Sequence, residues 1–403
     1  MDKSFTYYKP INSYFRKVNL DEWFLSRKAY EEGDYYQALL HLLRYINPPI
    51  SIPDTSSLDL KIPHGSVNVH IKADQKTFSV DIPFLKFTPQ SKKLPAMRQM
   101  IEQNFSSLIL GQIILQDSEH WFHYDEPIEK FEPYKIYYIL DEICIEADRN
   151  DDYYIDRFQL EHVQKPEIQL FTEAEVNQAS EIFKNLIQEG LQLAEYFENK
   201  RYYNATCDIL AITFFRIRHV IFPQGILGRE LQDALNSMYA NDSMANIIHS
   251  TKAKFNKFLT YDFQKFKESL FHPKFLMPIK TRAEVRRIQE ILSPIYERCK
   301  QGIQNRIFDD TSIILFYNFY NIMDLHTIPV EFSNAFEKVF ERCSQKDWKY
   351  TSEQLFSLLE KILQIRLDEN GNVIEGSMDL GESTSSTPSM KSIFSKITNI
   401  FKN

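Results

Sequence analysis
The sequence predicts an α+β fold. It reads as a small antiparallel-sheet α/β sandwich, preceded by a helical hairpin and followed by a mostly α-helical domain. Three observations carry this. Two runs of strict alternation stand side by side: Val67, Val69 and Ile71 against Asn68, His70 and Lys72, then Phe78, Val80 and Ile82 against Thr77, Ser79 and Asp81. Period two over six residues marks a half-buried strand. Helical spacing follows at Leu94, Met97, Ile101 and Phe105, before an apolar run at 108–115 and an aromatic run at 120–124. From Phe171 to Gln364 the apolar spacing is helical nearly throughout.

In chain order, residues 1–20 form a mobile lead or a strand-like arm rich in Tyr and Phe, and Asp21 can cap a helix holding Trp23, Phe24 and Tyr30. Gly33-Asp34 breaks that helix, and a second runs from Tyr35 to Tyr45 until Pro48-Pro49 stops it. Together they define a unit over residues 1–50. Prolines 49, 53 and 63 suggest a linker over 49–63, ahead of an α/β domain at 51–160. Within that domain the order is strand–strand–helix–strand–strand–helix, with polar connections at Ala73-Asp74-Gln75-Lys76 and Gln116-Asp117-Ser118-Glu119 and a last helix at 134–146.

Thr172-Glu173-Ala174-Glu175 has the form of a capping box and opens a helical domain at 171–366. Further helices are expected near 203–222, 226–240, 243–269, 281–304, 309–324, 330–344 and 351–366. Asn370-Gly371 predicts a hairpin within a hairpin-and-linker region at 367–388. The tail 389–403 reads as an amphipathic helix with Ile393, Phe394, Ile397, Ile400 and Phe401 on one face.

Two resemblances follow from these residues. Gly33, Tyr35, Ala38 and Leu42 sit where a tetratricopeptide repeat places its packing residues, so the hairpin resembles a single such repeat. Leu94-Pro95-Ala96-Met97-Arg98, Asn104-Phe105, the run from Leu110 to Leu115, Asp117 and the later Ala147-Asp148 make residues 64–155 resemble YbjN-like proteins and type III secretion chaperones. That resemblance implies a protein-binding domain without an active site. The opening helix of that fold is missing just before the first strand, and the hairpin at 21–46 could supply it.

Composition narrows the classes. The 403 residues are 43% hydrophobic and 25% charged with a net charge of −8, which gives no general attraction to nucleic acid. Four dispersed cysteines without a CxxC pair fit a reducing, cytoplasmic setting. No signal peptide or membrane span is expected.

Motifs of chemistry are weak. No Walker loop, HExxH or GxSxG occurs. His120 and His123 point to opposite faces of a strand, poorly placed for one metal. Asp148, Asn150, Asp152 and Asp156 match four positions of a calcium loop, but Tyr153 and Gln159 stand where Gly and Glu are needed. Arg157 and His162 match the Arg-x4-His spacing of HEPN-type ribonucleases, outside a convincing long helix. Arg216, Arg218 and His219 could line an anion pocket, although such side chains more often pair with acids. Lysines 252, 254, 257, 265 and 267 interleave with Phe255, Phe258, Phe263 and Phe266; an amphipathic helix fits that spacing better than a single-strand nucleic-acid surface.

The expected function is therefore non-catalytic: an adaptor or chaperone-like protein engaging another polypeptide, with no catalytic, cofactor or metal residues. The expected contact residues are the tail face and, in the hairpin, Tyr35 and Tyr36. Burying the five tail side chains would contribute roughly 5–10 kcal/mol before ordering costs. Three lysines in the tail favour a protein groove over a membrane surface. The alternatives are an enzyme or nuclease in the helical domain of a multi-component bacterial system, or a peripheral membrane-recruiting factor. An enclosed hollow gathering several ionisable side chains in the helical half would argue for chemistry instead.

Overall fold
Side-chain caps set the first two helices. Asn19, not Asp21, accepts the first-turn N–H of α1 (Leu20–Glu31), and Asp34 accepts from Gln37 at the start of α2 (Tyr35–Ile46). The protein, a computed structural model, is described over residues 4–12, 19–52, 56–368 and 373–376. Its fold is α+β.

The chain then enters β1 (Leu58–His64), where a linker was expected. Leu58, Leu60 and Ile62 do alternate with Asp59, Lys61 and Pro63, and Pro63 is tolerated because β1 lies at the edge of the sheet. A two-residue turn, Gly65-Ser66, leads to β2 (Val67–Ala73) and then β3 (Thr77–Lys86). The alternation reads as expected: Val67, Val69, Ile71, Phe78, Val80 and Ile82 are all buried. Helix α3 (Lys93–Ser106) precedes β4 (Gln112–Gln116) and β5 (Glu119–Pro127), joined through Asp117 and Ser118, both at positive φ. Helix α4 (Pro133–Phe158) continues well past the expected end at 146, and β6 (Glu161–His162) adds to the end of β3. The strand order is β1-β2-β3-β5-β4, all antiparallel. Helix α2 packs into the same core as this sheet, with Leu39, Leu42 and Leu43 fully buried beside Ile136, Ile139 and Leu140 of α4. The hairpin and the sheet thus close over one interior.

The helical unit follows. Strand β7 (Gln169–Leu170) leads to α5 (Glu173–Asn199), which opens with the expected capping box of Thr172 and Glu175. Then come α6 (Tyr203–Val220), α7 (Gly225–Ser237), α8 (Met244–Leu259) and α9 (Phe263–Glu268). The single helix expected at 243–269 is broken because Asp262 caps a fresh start, accepting from the Lys265 N–H at 2.9 Å. Strands β8 (Phe271–His272) and β9 (Thr281–Arg282) flank an irregular stretch. Helices α10 (Val285–Leu292), α11 (Tyr296–Gln304) and α12 (Phe308–Leu325), strand β10 (His326–Thr327), and helices α13 (Val330–Cys343) and α14 (Trp348–Gln364) complete the bundle. Strands β11 (Arg366–Leu367) and β12 (Val373–Glu375) pair antiparallel around Asn370-Gly371, whose own turn lies outside the described residues. No described helix is long and apolar enough to cross a membrane.

The two units exchange segments. The N-terminal arm does not stay with the hairpin; it crosses to the helical unit. Phe5 is 3% exposed in the helical core and meets Phe316 edge-on at 5.2 Å. Arg216, fully buried in α6, lies 4.7 Å over the Phe5 ring, donates to Glu189 Oε2 at 2.7 Å and to the Thr6 carbonyl. In return, Leu276 and Met277 from the stretch between β8 and β9 are buried in the core of the sheet unit. Their backbone holds the β1–β2 turn: Gly65 N–H donates to the Lys274 carbonyl at 2.8 Å, and Met277 N–H to His64 Nδ1 at 3.2 Å.

If the arm is an integral part of the helical core, Phe5→Ala should lower unfolding free energy by about 3 kcal/mol, the usual cost of deleting a buried ring. Denaturant unfolding measures this; a loss below about 0.5 kcal/mol, the range of a surface change, would contradict the placement.

Candidate functional site
Three places gather unusual side chains. The first is the outside of α3. Helical spacing marked Leu94, Met97, Ile101 and Phe105 as one face, and the helix forms, but that face does not close on the core. Leu94 is 72% exposed, Ile101 55% and Phe105 87%. The buried side is carried by Ala96, Met100 and Gln103. Gln103 donates to Glu146 Oε2 at 2.8 Å and tethers α3 to α4. Beyond α3, Ile109 is 87% exposed, and Leu110, Leu115 and Tyr138 are also exposed. The 109–111 loop is fixed by the Glu142 carboxylate, which accepts all three backbone N–H groups at 2.8–3.2 Å. Asn104 fixes edge strand β4, donating to the Ile113 carbonyl and accepting its N–H. An apolar surface is therefore held on a rigid frame. Large apolar side chains exposed together on one helix face and the loop after it mark contact sites more often than singly scattered ones.

The second place is the junction of the two units along the C-terminal half of α4. Asp148 accepts from Ser66 N–H at 2.6 Å and Ser66 Oγ at 2.9 Å; Ser66 Oγ also reaches Asp151 Oδ2 at 2.5 Å, and His162 Nε2 lies 2.9 Å from the same oxygen. Gly65 has φ +57°, and a Cβ there would overlap the Asp148 carboxylate, so this turn requires glycine twice over. Asp152 sits against Gly225 at the start of α7, where a helix favours negative charge. Burial, then the charge of Asp151, pushes the Asp148 carboxyl up to about 7 despite the Ser66 donors. Burial and the charges of Asp151 and Asp148 also hold Asp152 well above the usual carboxylate range.

The third place is a cleft of about 610 Å³ at the same junction. Arg149 of α4 forms one wall. Arg218 of α6, Arg229 and Gln232 of α7, Lys280 and Thr281 near β9, Asp324 of α12 and His326 of β10 form the others. Arg218 is held by Asp324 Oδ1 at 3.0 Å and by Gln232. Lys280 donates to the Met323 carbonyl at 2.7 Å; burial pushes its ammonium down to about 8, against the pull of Asp324. Thr281 Oγ1 lies 2.7 Å from His326 Nδ1, and burial lowers that imidazole below its ordinary range. Asp324 is itself buried, and burial raises its carboxyl despite Arg218, Lys280 and His219.

The other sequence candidates are dispersed. Tyr36 is 3% exposed and part of the core, so it offers no surface to a partner; Tyr35 is half-buried, 5.9 Å from Tyr30. The tail residues Ile393, Phe394, Ile397, Ile400 and Phe401 lie outside the described residues. His120 is buried on Leu85 O, whereas His123 contacts Asp81 and Asp125. Asp148, Asn150, Asp152 and Asp156 lie inside continuous helix α4, not in a loop. Arg157 bonds Tyr153, while His162 faces Asp151. Of the basic trio in α6, Arg218 alone reaches the cleft; Arg216 is committed to Glu189 and the N-terminal arm, and His219 lies 3.6 Å from Glu337. Phe255, Phe258 and Phe266 point inward, while Lys252, Lys257 and Lys265 pair with Glu198, Glu230 and Asp156. Among the described residues, no group of three or more His, Cys, Asp and Glu is placed to hold a metal ion. No family model, curated protein or solved structure matches the chain.

The Asp148 carboxyl carries a pH signature. Its folded-state pKa is raised, so between about pH 4 and 7 the folded chain holds a proton that the unfolded chain releases. Its stabilising protonated state is complete at low pH and is lost as pH rises through about 7. Asp148→Asn should therefore gain melting temperature relative to the parent by about 2–4 °C on going from pH 5 to pH 8. A difference that stays flat across that range would contradict the assignment.

Proposed function
We propose that this protein is a non-catalytic adaptor or chaperone-like protein that engages another polypeptide through the outer face of α3 and the loop after it. The carrying observation is the exposure of Phe105 and Ile109 beside Ile101 and Leu94, on backbone that Glu142 and Asn104 hold in place. A rigid apolar surface loses little entropy when it docks, so much of its burial contributes to affinity. The fitting occupant is an apolar segment of a partner chain, an amphipathic helix above all, since Asn104 already fills the Ile113 position of the β4 edge. The likeness of residues 64–155 to YbjN-like proteins and secretion chaperones points the same way. Four cysteines without disulfides fit a cytoplasmic setting.

Ionisable side chains do gather in the junction cleft, the arrangement that would argue for chemistry. Their bonds are structural: Arg218 is tied to Asp324 and Gln232, and Lys280 to a backbone carbonyl.

A photo-cross-linking residue at position 105, compared with one at exposed Lys72, tests the reading in cells. The expected outcome is one dominant protein adduct at 105, absent at 72 and lost when Leu94→Ser and Ile101→Glu are added. These positions are exposed, so the melting temperature should stay within about 2 °C of the parent. The same adduct pattern at both positions would overturn the proposal; an adduct to the chain's own residues 389–403 would replace the partner by an internal ligand.

A further inference from the structure
Independently of the α3 surface, we propose that the junction cleft binds a phosphorylated small molecule bearing a hydroxyl donor, of the class of a sugar phosphate or a mononucleotide. Charge is the first argument. Four cations line the cleft (Arg149, Arg218, Arg229 and Lys280) against two carboxylates, Asp233 and Asp324, in a chain whose net charge is −8. Arg218 pairs with Asp324, and Arg229 lies 3.9 Å from Asp233. That leaves Lys280 and Arg149, itself 3.8 Å from Glu146, so the lining keeps a positive excess that suits a phosphate monoester.

The second argument is preorganisation. Arg229 is stacked 4.3 Å over the Tyr153 ring and donates to Asn150 Oδ1 at 3.2 Å, so its guanidinium plane is fixed before any ligand arrives. Arg149 is held only loosely, 3.8 Å from Glu146 with its side chain 58% exposed, and can turn onto a ligand. Planar guanidiniums match phosphate oxygens in a bidentate way.

The third argument is an orphan acceptor. Asp324 is buried, and its Oδ2 has no hydrogen-bond partner, although Oδ1 is tied to Arg218. A buried oxygen left unsatisfied costs stability; Oδ2 is shut off from solvent, so a ligand O–H would satisfy it by parting the wall beside Arg218. The volume, about 610 Å³, lies within the ordinary span of small-molecule sites, roughly 300–1,000 Å³. Because Arg149 belongs to the sheet unit and Lys280 and Asp324 to the helical unit, a bound ligand would join the two.

Calorimetry on the full chain in phosphate-free buffer tests this with ribose 5-phosphate, AMP, inorganic phosphate, ribose and adenosine. Ribose 5-phosphate or AMP should bind at least about tenfold tighter than inorganic phosphate, and ribose and adenosine should show no binding. Arg149→Glu, at an exposed position that leaves the fold intact, should weaken binding by about tenfold or more, and Arg229→Gln should do the same. Absence of binding by every phosphorylated probe at millimolar concentration would overturn the proposal. So would an unchanged Kd in both variants. Equal affinity for ribose 5-phosphate, AMP and inorganic phosphate would remove the hydroxyl-donor part of it.

Discussion

Neither half of the molecule completes its interior with its own contiguous residues, and this constraint governs the rest. The helical unit takes Phe5 from the start of the chain, and the sheet unit takes Leu276 and Met277 from between two short strands of the helical unit. Each loan is fixed by polar bonds. Arg216 is 1% exposed, and its bonds to Glu189 and the Thr6 carbonyl offset the cost of burying its charge. Gly65 and His64 hold the returning segment by its backbone. Long-range exchange of this kind ties the folding of the two units together, since each lacks part of its core until the other is in place.

That tie explains where the charge sits. Helix α4 runs along the sheet unit and then continues, so that its C-terminal half meets the helical unit with carboxylates, Tyr153 and Arg149. The carboxylates close on the turn at Ser66 and on the start of α7; the arginines collect on the other side. A junction built from opposite charges in separate places keeps each sign near partners it can use. It also raises the carboxyls of Asp148 and Asp152 by burial, a local strain that the rest of the packing sustains.

Much of the fold was legible in the sequence because its signals are local. Alternation at 67–71 and 78–82 marked strands whose apolar sides are buried, and Thr172 with Glu175 marked the start of α5. Strand β1 was hidden because prolines around it read as a linker, although Leu58, Leu60 and Ile62 carried the alternation. The exposure of the α3 face was not legible for a deeper reason. Periodicity reports that apolar residues share a side; it does not report what that side meets. An arm was legible at the N-terminus but its docking was not, because its partners lie at Glu189, Arg216 and Phe316, far along the chain. The cleft was half visible: Arg218 was singled out as a possible anion contact, but Arg149, Arg229 and Lys280 come from other elements and share no motif with it.

The Asn104 amide has one more consequence. It occupies both the N–H and the carbonyl of Ile113, on an edge strand of the sheet and beside the exposed apolar face of α3. A bare strand margin next to exposed Phe105 would invite copies of the protein to zip together strand to strand. With those two groups already taken by its own side chain, an adhesive flank stands beside a strand margin that offers fewer free groups for such zipping.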